Sequence, residues 1–192
     1  MSAPLVRPVL VLLLLSALVA SAQPARPDPV VDSSFRAPGG ERVMEMAVEV
    51  PASLEDVWQA FTTAEGFESW AVKRARVDLR VGGEFETSYD PKAQLGAPGN
   101  IRNRIEALVP RRLLVIRNVQ APPVTAFDVP TFQSLQTVIH FQPIGDRLTR
   151  VVLQCPGFGE GEKFESVWRH FQMGNRWTLA KLRERFDAPA AK

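Results

Sequence analysis

Most of the chain is built of short segments in which apolar and polar residues alternate, and one long amphipathic segment follows them. Between Ala75 and Cys155, glycine, proline, asparagine or aspartate residues end each alternating segment. A period of two is typical of strands that bury one face, and short connections between successive strands favour an antiparallel sheet. The predicted strands are Arg76–Arg80, Glu84–Tyr89, Asn100–Val109, Arg112–Asn118, Leu135–Pro143 and Leu148–Cys155. A sheet with one apolar face needs another element to cover that face.

The segment Glu162–Asp187 is predicted to be the covering helix. Its apolar side is formed by Phe164, Val167, Trp168, Phe171, Thr178, Leu182 and Phe186, which recur at helical spacing. Pro189 follows the predicted end of the helix. Gly174 lies on the same side, where it either allows close approach of the sheet or leaves room for a ligand.

A strand and two helices are predicted before these elements. The alternation of Met44, Met46, Val48 and Val50 with mostly polar residues indicates a strand that Pro51 ends. Ser53 begins a helix whose apolar residues are Leu54, Val57, Trp58 and Phe61, and a second short helix is expected to carry Phe67 and Trp70. The order of elements predicts an α+β domain over residues 41–187, in which a curved antiparallel sheet of about six to seven strands wraps around the C-terminal helix.

Residues 1–22 are typical of a secretory signal peptide. Arg7 precedes the apolar run Val9–Val19, and Ala20, Ser21 and Ala22 form a cleavage site. The apolar run is too short to cross a bilayer, which needs ~20 residues, so we expect no stable membrane insertion after cleavage. We therefore expect an exported protein, periplasmic or secreted. Residues 23–40 are rich in proline and predict a flexible leader, and residues 188–192 form a tail.

Composition excludes several functional classes. The chain has 23 basic and 21 acidic residues, and removal of the signal peptide takes away only one of these charges, that of Arg7. This balance argues against a nucleic-acid partner, which usually demands a basic face. Cys155 is the one cysteine, so no internal disulfide is possible, and its phase predicts a buried packing residue. His140 and His170 are the only histidines, and we expect neither a metal nor another cofactor.

Several stretches resemble the START-like (SRPBCC) superfamily. They are the segment Pro51–Phe61, Gly66 and Trp70 after it, the segment Asp78–Phe85, and the terminal helix. Within the superfamily, the chain is most similar to the subgroup named after the C-terminal domain of the activator of heat-shock protein 90 ATPase. The resemblance covers roughly residues 41–187, and Arg80–Phe85 is its most specific part.

The resemblance implies a helix-grip fold with a cavity between the sheet and the helix. In related families such a cavity holds lipids, sterols, polyketides or plant hormones, and some relatives are cyclases, aromatases or hydrolases. Activation of the heat-shock ATPase would need a cytosolic partner driven by ATP. An exported protein does not meet such a partner. A co-chaperone-like protein-interaction module therefore stays a second alternative, and the protein partner is not identified.

The first functional hypothesis is binding of a small hydrophobic or amphipathic molecule in this cavity. The candidate ligand-binding residues are the aromatic residues Phe61, Phe67, Trp70, Phe85, Tyr89, Phe141, Trp168 and Phe171. Each of them is also compatible with plain core packing, and only their convergence favours a cavity. The segment Val119–Ser134 is long and apolar for a loop, so it either folds over the mouth as a lid or caps the core.

The alternative is a cofactor-independent enzyme of the cyclase or hydrolase type that uses the same cavity. His170 lies beside the apolar side of the terminal helix and is the one weak catalytic candidate. His140 is out of phase with Ile139 and Phe141, which predicts that it faces away from the helix. No nucleophile motif or metal-ligand spacing is present in the sequence.

Overall fold

The computed structural model describes residues 28–123 and 125–187. The predicted signal peptide, the first residues of the predicted leader and the predicted tail lie outside these ranges. Within them, the strands are β1 Val30–Asp32, β2 Phe35–Arg36, β3 Arg42–Val50, β4 Arg74–Val77, β5 Glu84–Ser88, β6 Ile101–Val109, β7 Leu113–Gln120, β8 Gln136–Gly145 and β9 Leu148–Phe158. The helices are α1 Leu54–Thr62, α2 Ala64–Glu68, α3 Val129–Ser134 and α4 Glu162–Asp187. No helix in the described part of the chain is long and apolar enough to span a membrane.

The strands form one antiparallel sheet, and α4 lies against its concave face. The strand order is β1-β3-β9-β8-β7-β6-β5-β4, and β2 pairs with the other end of β3. The predicted α+β helix-grip fold is therefore confirmed. The described residues contain nine strands rather than the expected six or seven, because two short strands precede β3.

These two strands lie within the predicted flexible leader, so for residues 30–36 that prediction is wrong. Val30 pairs with Val48 and Phe35 pairs with Val43, and Val30 is buried. The low apolar content of the segment suggested no fixed structure, but strand addition uses backbone groups that composition does not report. The outer edge of β3 supplies those groups, and pairing covers an edge that would otherwise stay open.

Large aromatic residues fill one end of the space between the sheet and the helices. Ser53 caps α1 by accepting a hydrogen bond from the Asp56 backbone nitrogen at 3.2 Å, which begins the helix where the sequence predicts. Ring centroids of Trp58 and Phe61 lie 5.1 and 5.3 Å from that of Phe141, both in edge-to-face geometry. This cluster packs α1 onto the sheet.

Helix α4 is packed towards its two ends and less covered in its middle. Val167, Leu179 and Leu182 are fully buried, whereas Met173 is 71% exposed and a side chain added at Gly174 would meet no heavy atom within 4 Å. The predicted bounds of this helix are those of the structure. The uncovered middle turns are where a cavity opens between the helix and the sheet.

Two bulges alter the register between β6 and β7. The first leaves Val119 unpaired, because Arg102 pairs with Gln120 and Asn103 pairs with Asn118. The second lies between Ile105 and Ala107 and places Ala107 opposite Val115, on the other face from Ile105. Strict alternation from Ile105 would place Ala107 on the inner face of the sheet, and the bulge turns it to the outer face.

A buried carboxylate anchors the loop that follows β5. Glu86 points away from the helix, as alternation predicts, and is fully buried. It pairs with Arg76 at 2.6 Å and accepts hydrogen bonds from the Gly96 backbone and from Asn100 Nδ2 at 2.7 Å. Although burial raises its pKa, these bonds and the Arg76 charge outweigh that effect, and the pKa of Glu86 lies below its ordinary value. The network holds the loop over residues 90–100 on the outer face of the sheet.

Candidate functional site

A cavity of about 680 Å³ lies between the concave face of the sheet and the middle of α4. The sheet contributes Phe85, Thr87, Ile101, Asn103, Leu114, Ile116, Asn118, Thr137, Ile139 and Leu153. Helix α4 contributes His170, Phe171, Met173, Gly174, Asn175, Trp177 and Thr178. Phe61, Phe67 and Val72 close the end next to α1 and α2, and Tyr89 lies at the rim.

The polar groups of the cavity wall are uncharged amides and hydroxyls, apart from two groups that can titrate. Among the described residues, the wall contains no aspartate, glutamate, lysine or arginine, and only Tyr89 and His170 can change charge. No group of three or more described histidine, cysteine, aspartate or glutamate residues is placed to hold a metal ion. The cavity is therefore suited to an apolar molecule with a few hydrogen-bonding groups.

The segment after β7 covers the cavity. We call residues 121–123 and 125–134 the cover segment, which ends in α3. Its residues Ala121, Pro122, Thr125, Ala126, Phe127 and Phe132 line the cavity. Phe127 and Phe132 also pack against the hydrophobic core, so the segment both borders the cavity and caps the core, and the two alternatives that the sequence leaves open stay open.

Aromatic contacts and one ion pair attach the cover segment to α4. The ring centroid of Phe127 lies 4.3 Å from that of His170, and the centroid of Phe132 lies 5.2 Å from that of Phe171. Asp128 caps α3 by accepting from the Thr131 backbone nitrogen at 3.0 Å, and its other oxygen lies 3.3 Å from Lys163 Nζ. The cover segment thus contacts α4 through Phe127, Asp128 and Phe132, and it also contacts β7, where Arg117 donates to the Ser134 carbonyl oxygen at 2.7 Å.

His170 is the imidazole that the cover segment contacts. The residue as a whole is exposed, but Phe127 packs against its ring and removes part of the water around it. This desolvation lowers the pKa of His170 below the ordinary histidine value. A neutral imidazole at the wall can accept or donate a proton, but no described carboxylate lies on the wall to act as its partner.

Five of the eight predicted ligand-binding residues lie at the cavity. They are Phe61, Phe67, Phe85, Tyr89 and Phe171. Phe67 and Phe85 meet edge to face with centroids 5.0 Å apart, so they form the closed end of the cavity. Tyr89 is 59% exposed and stands opposite Trp177 at 6.5 Å, so the two rings flank the opening.

Trp70, Phe141 and Trp168 do not line the cavity, and their assignment to its wall is corrected. Trp70 donates from Nε1 to the Ala60 carbonyl oxygen at 2.9 Å and packs edge to face on Phe61. Phe141 belongs to the aromatic cluster under α1. Trp168 packs on Phe158 at 4.9 Å, and the guanidinium of Arg42 lies 4.5 Å above its ring. In each case a neighbouring side chain occupies the space that a ligand would need.

Sequence reasoning missed the amide residues of the cavity, Asn103, Asn118 and Asn175. The sequence did carry a signal for them, because each interrupts a pattern that is otherwise apolar. Asn103 stands between Ile101 and Ile105 on an inward-facing position, and Asn175 lies on the apolar side of α4. Polar residues at inward positions of two facing elements indicate a wall that is not filled by packing.

Cys155 is buried directly beneath the cavity wall. Its side chain lies 3.7 Å from Thr137 Oγ1 and 3.7 Å from Asn175 Nδ2. Burial raises the pKa of its thiol to about 12. The thiol is therefore protonated at physiological pH and packs as a small apolar group, as the sequence predicts.

A family model described as "Activator of Hsp90 ATPase homolog 1-like protein" matches residues 51–187. The match extends over most of the chain. This protein belongs to that family. The matched part of the Hsp90 ATPase activator homologue 1-like domain runs from the end of β3 to the end of α4, and thus contains every described residue that lines the cavity.

Solved structures share the fold at low sequence identity. The Aha1 dimer from Colwellia psychrerythraea has a TM-score of 0.58 at 15% identity, with 78% of this chain and 98% of that one covered. CalU16 from Micromonospora echinospora has a TM-score of 0.51 at 20% identity, with coverage of 84% and 86%. A protein from Mesorhizobium loti has a TM-score of 0.55 at 20% identity, with coverage of 74% and 96%. No curated protein sequence matches this chain.

Proposed function

We propose that this protein binds a small hydrophobic or amphipathic molecule in the cavity between the sheet and α4. The cavity itself carries the proposal, because it has about 680 Å³ and a largely apolar wall with a few amide and hydroxyl groups. Sites for small molecules usually have roughly 300–1,000 Å³ and such a lining. Removal of apolar surface from water supplies the binding free energy, at about 25 cal/mol for each Å².

The opening of the cavity supports the same proposal. Tyr89, Met173 and Trp177 are large apolar side chains that are 59%, 71% and 45% exposed, and all three lie on the wall or rim. Exposed apolar groups gathered at one place mark a surface that contacts a ligand or a partner. Gly174 lies between Met173 and Trp177 on α4 and adds no side chain to narrow this opening.

Titration with the uncharged fluorophore N-phenyl-1-naphthylamine tests the proposal. We expect saturable binding with enhanced emission, and we expect Ile116→Trp to abolish it, because Ile116 lies on the sheet wall and a larger ring there occupies the cavity. Ile144→Trp is the matched control, since Ile144 is exposed on β8 and is not part of the wall. Equal binding by the protein and by Ile116→Trp would contradict the proposal.

Native mass spectrometry with organic extraction identifies what the cavity holds after expression in the original host. An apolar adduct at one molecule per chain would support a carrier or sensor and would reveal its chemical class. A protein that is isolated repeatedly without an adduct, and that also fails to bind the fluorophore, would favour the protein-interaction alternative.

We also propose that the mature protein acts outside the cytosol. The support is the sequence of residues 1–22, with one basic residue, an apolar run and a small-residue cleavage site. Export would separate the chain from a cytosolic ATPase, and for this reason we place ligand binding before a co-chaperone activity. N-terminal sequencing of the protein from the periplasm or medium tests this, with Gln23 as the expected first residue.

A further inference from the structure

The bulge at Val119 places two asparagine side chains next to each other on the cavity wall. It shifts the register so that Asn118 pairs with Asn103 on the concave face. Asn118 Nδ2 donates to the backbone oxygens of Arg102 at 3.2 Å and Gln120 at 3.0 Å, two residues that pair with each other just beyond the bulge. Asn118 Oδ1 accepts from Gln133 Nε2 of α3 at 3.4 Å. The amide of Asn118 is thus held by three elements of the protein itself.

Asn118 in turn orients Asn103. Its Nδ2 also lies 3.4 Å from Oδ1 of Asn103, so one of its two N–H groups is shared between that oxygen and a backbone acceptor. A primary amide carries its acceptor and its two donors on opposite sides, so engagement of Oδ1 turns the donors the other way. The structure gives Asn103 Nδ2 no hydrogen-bond partner among the described residues, and Asn103 lies on the cavity wall.

The lack of charged side chains on the described wall limits which ligand groups this donor can bind. Transfer of an ionised group into an apolar site is strongly unfavourable unless an opposite charge or several hydrogen bonds compensate it. The described wall offers no lysine or arginine to a carboxylate and no aspartate or glutamate to an ammonium group. An uncharged acceptor, such as the oxygen of a ketone, ester or amide, satisfies Asn103 without this penalty.

We propose that the cavity selects an uncharged apolar molecule that carries a carbonyl-type oxygen, and that Asn103 donates the hydrogen bond that recognises this oxygen. Asn118 acts as the positioning residue that keeps the amide of Asn103 in the donating orientation. This inference rests on the proposed binding function and specifies the chemical class of the ligand.

Three naphthalene probes of similar size test the inference. 2-Acetylnaphthalene carries the carbonyl, 2-ethylnaphthalene lacks it, and 2-naphthoate replaces it with a charged group. Their dissociation constants are measured by displacement of N-phenyl-1-naphthylamine from the protein and from Asn103→Ala. We expect Asn103→Ala to lower the affinity for 2-acetylnaphthalene about fivefold more than the affinity for 2-ethylnaphthalene, because only the acetyl probe loses a hydrogen bond. We expect 2-naphthoate to bind the unmodified protein about tenfold or more weakly than 2-acetylnaphthalene.

Infrared spectroscopy gives a readout that a merely structural role of Asn103 would not change. The carbonyl stretch of bound 2-acetylnaphthalene is expected at lower frequency than in an apolar solvent, and Asn103→Ala should return it towards the apolar value. Asn175→Ala is the matched control, because it enlarges the same cavity from α4, where the amide nitrogen faces the sulfur atoms of Met44 and Cys155. We expect it to change the affinities for the acetyl and ethyl probes in the same proportion.

The outcomes separate this inference from the proposed function. Binding of both neutral probes with a ratio that Asn103→Ala leaves unchanged would overturn the role of Asn103 and leave the cavity function in place. Tighter binding of 2-naphthoate than of 2-acetylnaphthalene would overturn the selection of an uncharged ligand. Failure of all three probes to displace bound N-phenyl-1-naphthylamine would overturn this inference and leave the proposed function in place, whereas failure of the fluorophore itself to bind would overturn both.

Discussion

The two ends of the space under the sheet contain similar aromatic residues but differ in how they are filled. In the packed region, Trp58 and Phe61 each meet Phe141 edge to face, with centroids 5.1 and 5.3 Å from its own. In the cavity region, the middle of α4 carries Gly174 and Asn175 and faces Asn103 on the sheet. Large side chains on both walls interdigitate, whereas small or polar side chains at the same level on both walls leave space between them. A cavity therefore forms only where both facing elements carry small or polar side chains at the same level, and the presence of aromatic residues alone does not create one.

The largest expected effect is the loss of stability when the packed region is opened. Phe141→Ala removes a ring that is 3% exposed and contacts two others, and it should lower the free energy of unfolding by about 3–5 kcal/mol. Chemical denaturation followed by circular dichroism measures this. A loss below about 1 kcal/mol would mean that the packed region tolerates empty space as the cavity region does.

The next prediction compares two residues on neighbouring turns of α4. Trp168→Ala should lower the free energy of unfolding by about 2 kcal/mol and leave the affinity for N-phenyl-1-naphthylamine unchanged, because its contacts are Phe158 and Arg42. Phe171→Ala removes part of the cavity wall and should lower the affinity for the fluorophore about tenfold. Its loss of unfolding free energy should be smaller than that of Trp168→Ala. The opposite pattern in the two variants would reverse our placement of the boundary between the regions.

A smaller effect is expected from the glycine of the cavity region. Gly174→Ala should raise the free energy of unfolding by about 0.5–1 kcal/mol, because the added methyl group meets nothing and alanine is the better helix former. Gly66→Ala is the matched control in α2, where the same methyl group would collide with the Gln59 carbonyl oxygen. Stabilisation at Gly66, or destabilisation at Gly174, would contradict this account of the two helices.

The smallest effect concerns pH and the contact between His170 and Phe127. Because desolvation lowers the pKa of His170 in the folded protein, the unfolded chain takes up the proton first as the pH falls. The free energy of unfolding should therefore decrease as the pH falls from the ordinary histidine value of about 6.5 towards the lower pKa of the folded state. His170→Phe keeps an aromatic ring against Phe127 and should remove this part of the pH dependence. Unchanged pH dependence in that variant would assign the effect to other groups.

The elements that carry regular periodicity were predictable from the sequence. The bounds of α4 agree with the helical stripe, and all seven predicted strands are present with ends shifted by a few residues. The pairing of β1 and β2 was not predictable, since it depends on the free edge of β3 and on backbone groups. Helix α3 was also missed, because its six residues are too few to show a helical period.

At the candidate site, Phe67, Phe85 and Phe171 line the cavity, whereas Trp70 and Trp168 do not. All five are aromatic residues on elements that border the same space, so the sequence offered no basis to separate them. The neighbours decided the outcome, since Phe158 and Arg42 cover Trp168, whereas the neighbours of Phe171 leave it on the cavity wall.

By itself, the sequence determined the order of strands and helices, the inner and outer faces of most strands, and the absence of an internal disulfide. These properties follow from local periodicity and from composition, which each segment carries independently of its partners. Only the tertiary structure decided where the cavity lies, which rings line it, and which way the amide of Asn103 points. Those properties depend on side chains from distant segments that meet at one level, and on a bulge that shifts one strand against the next.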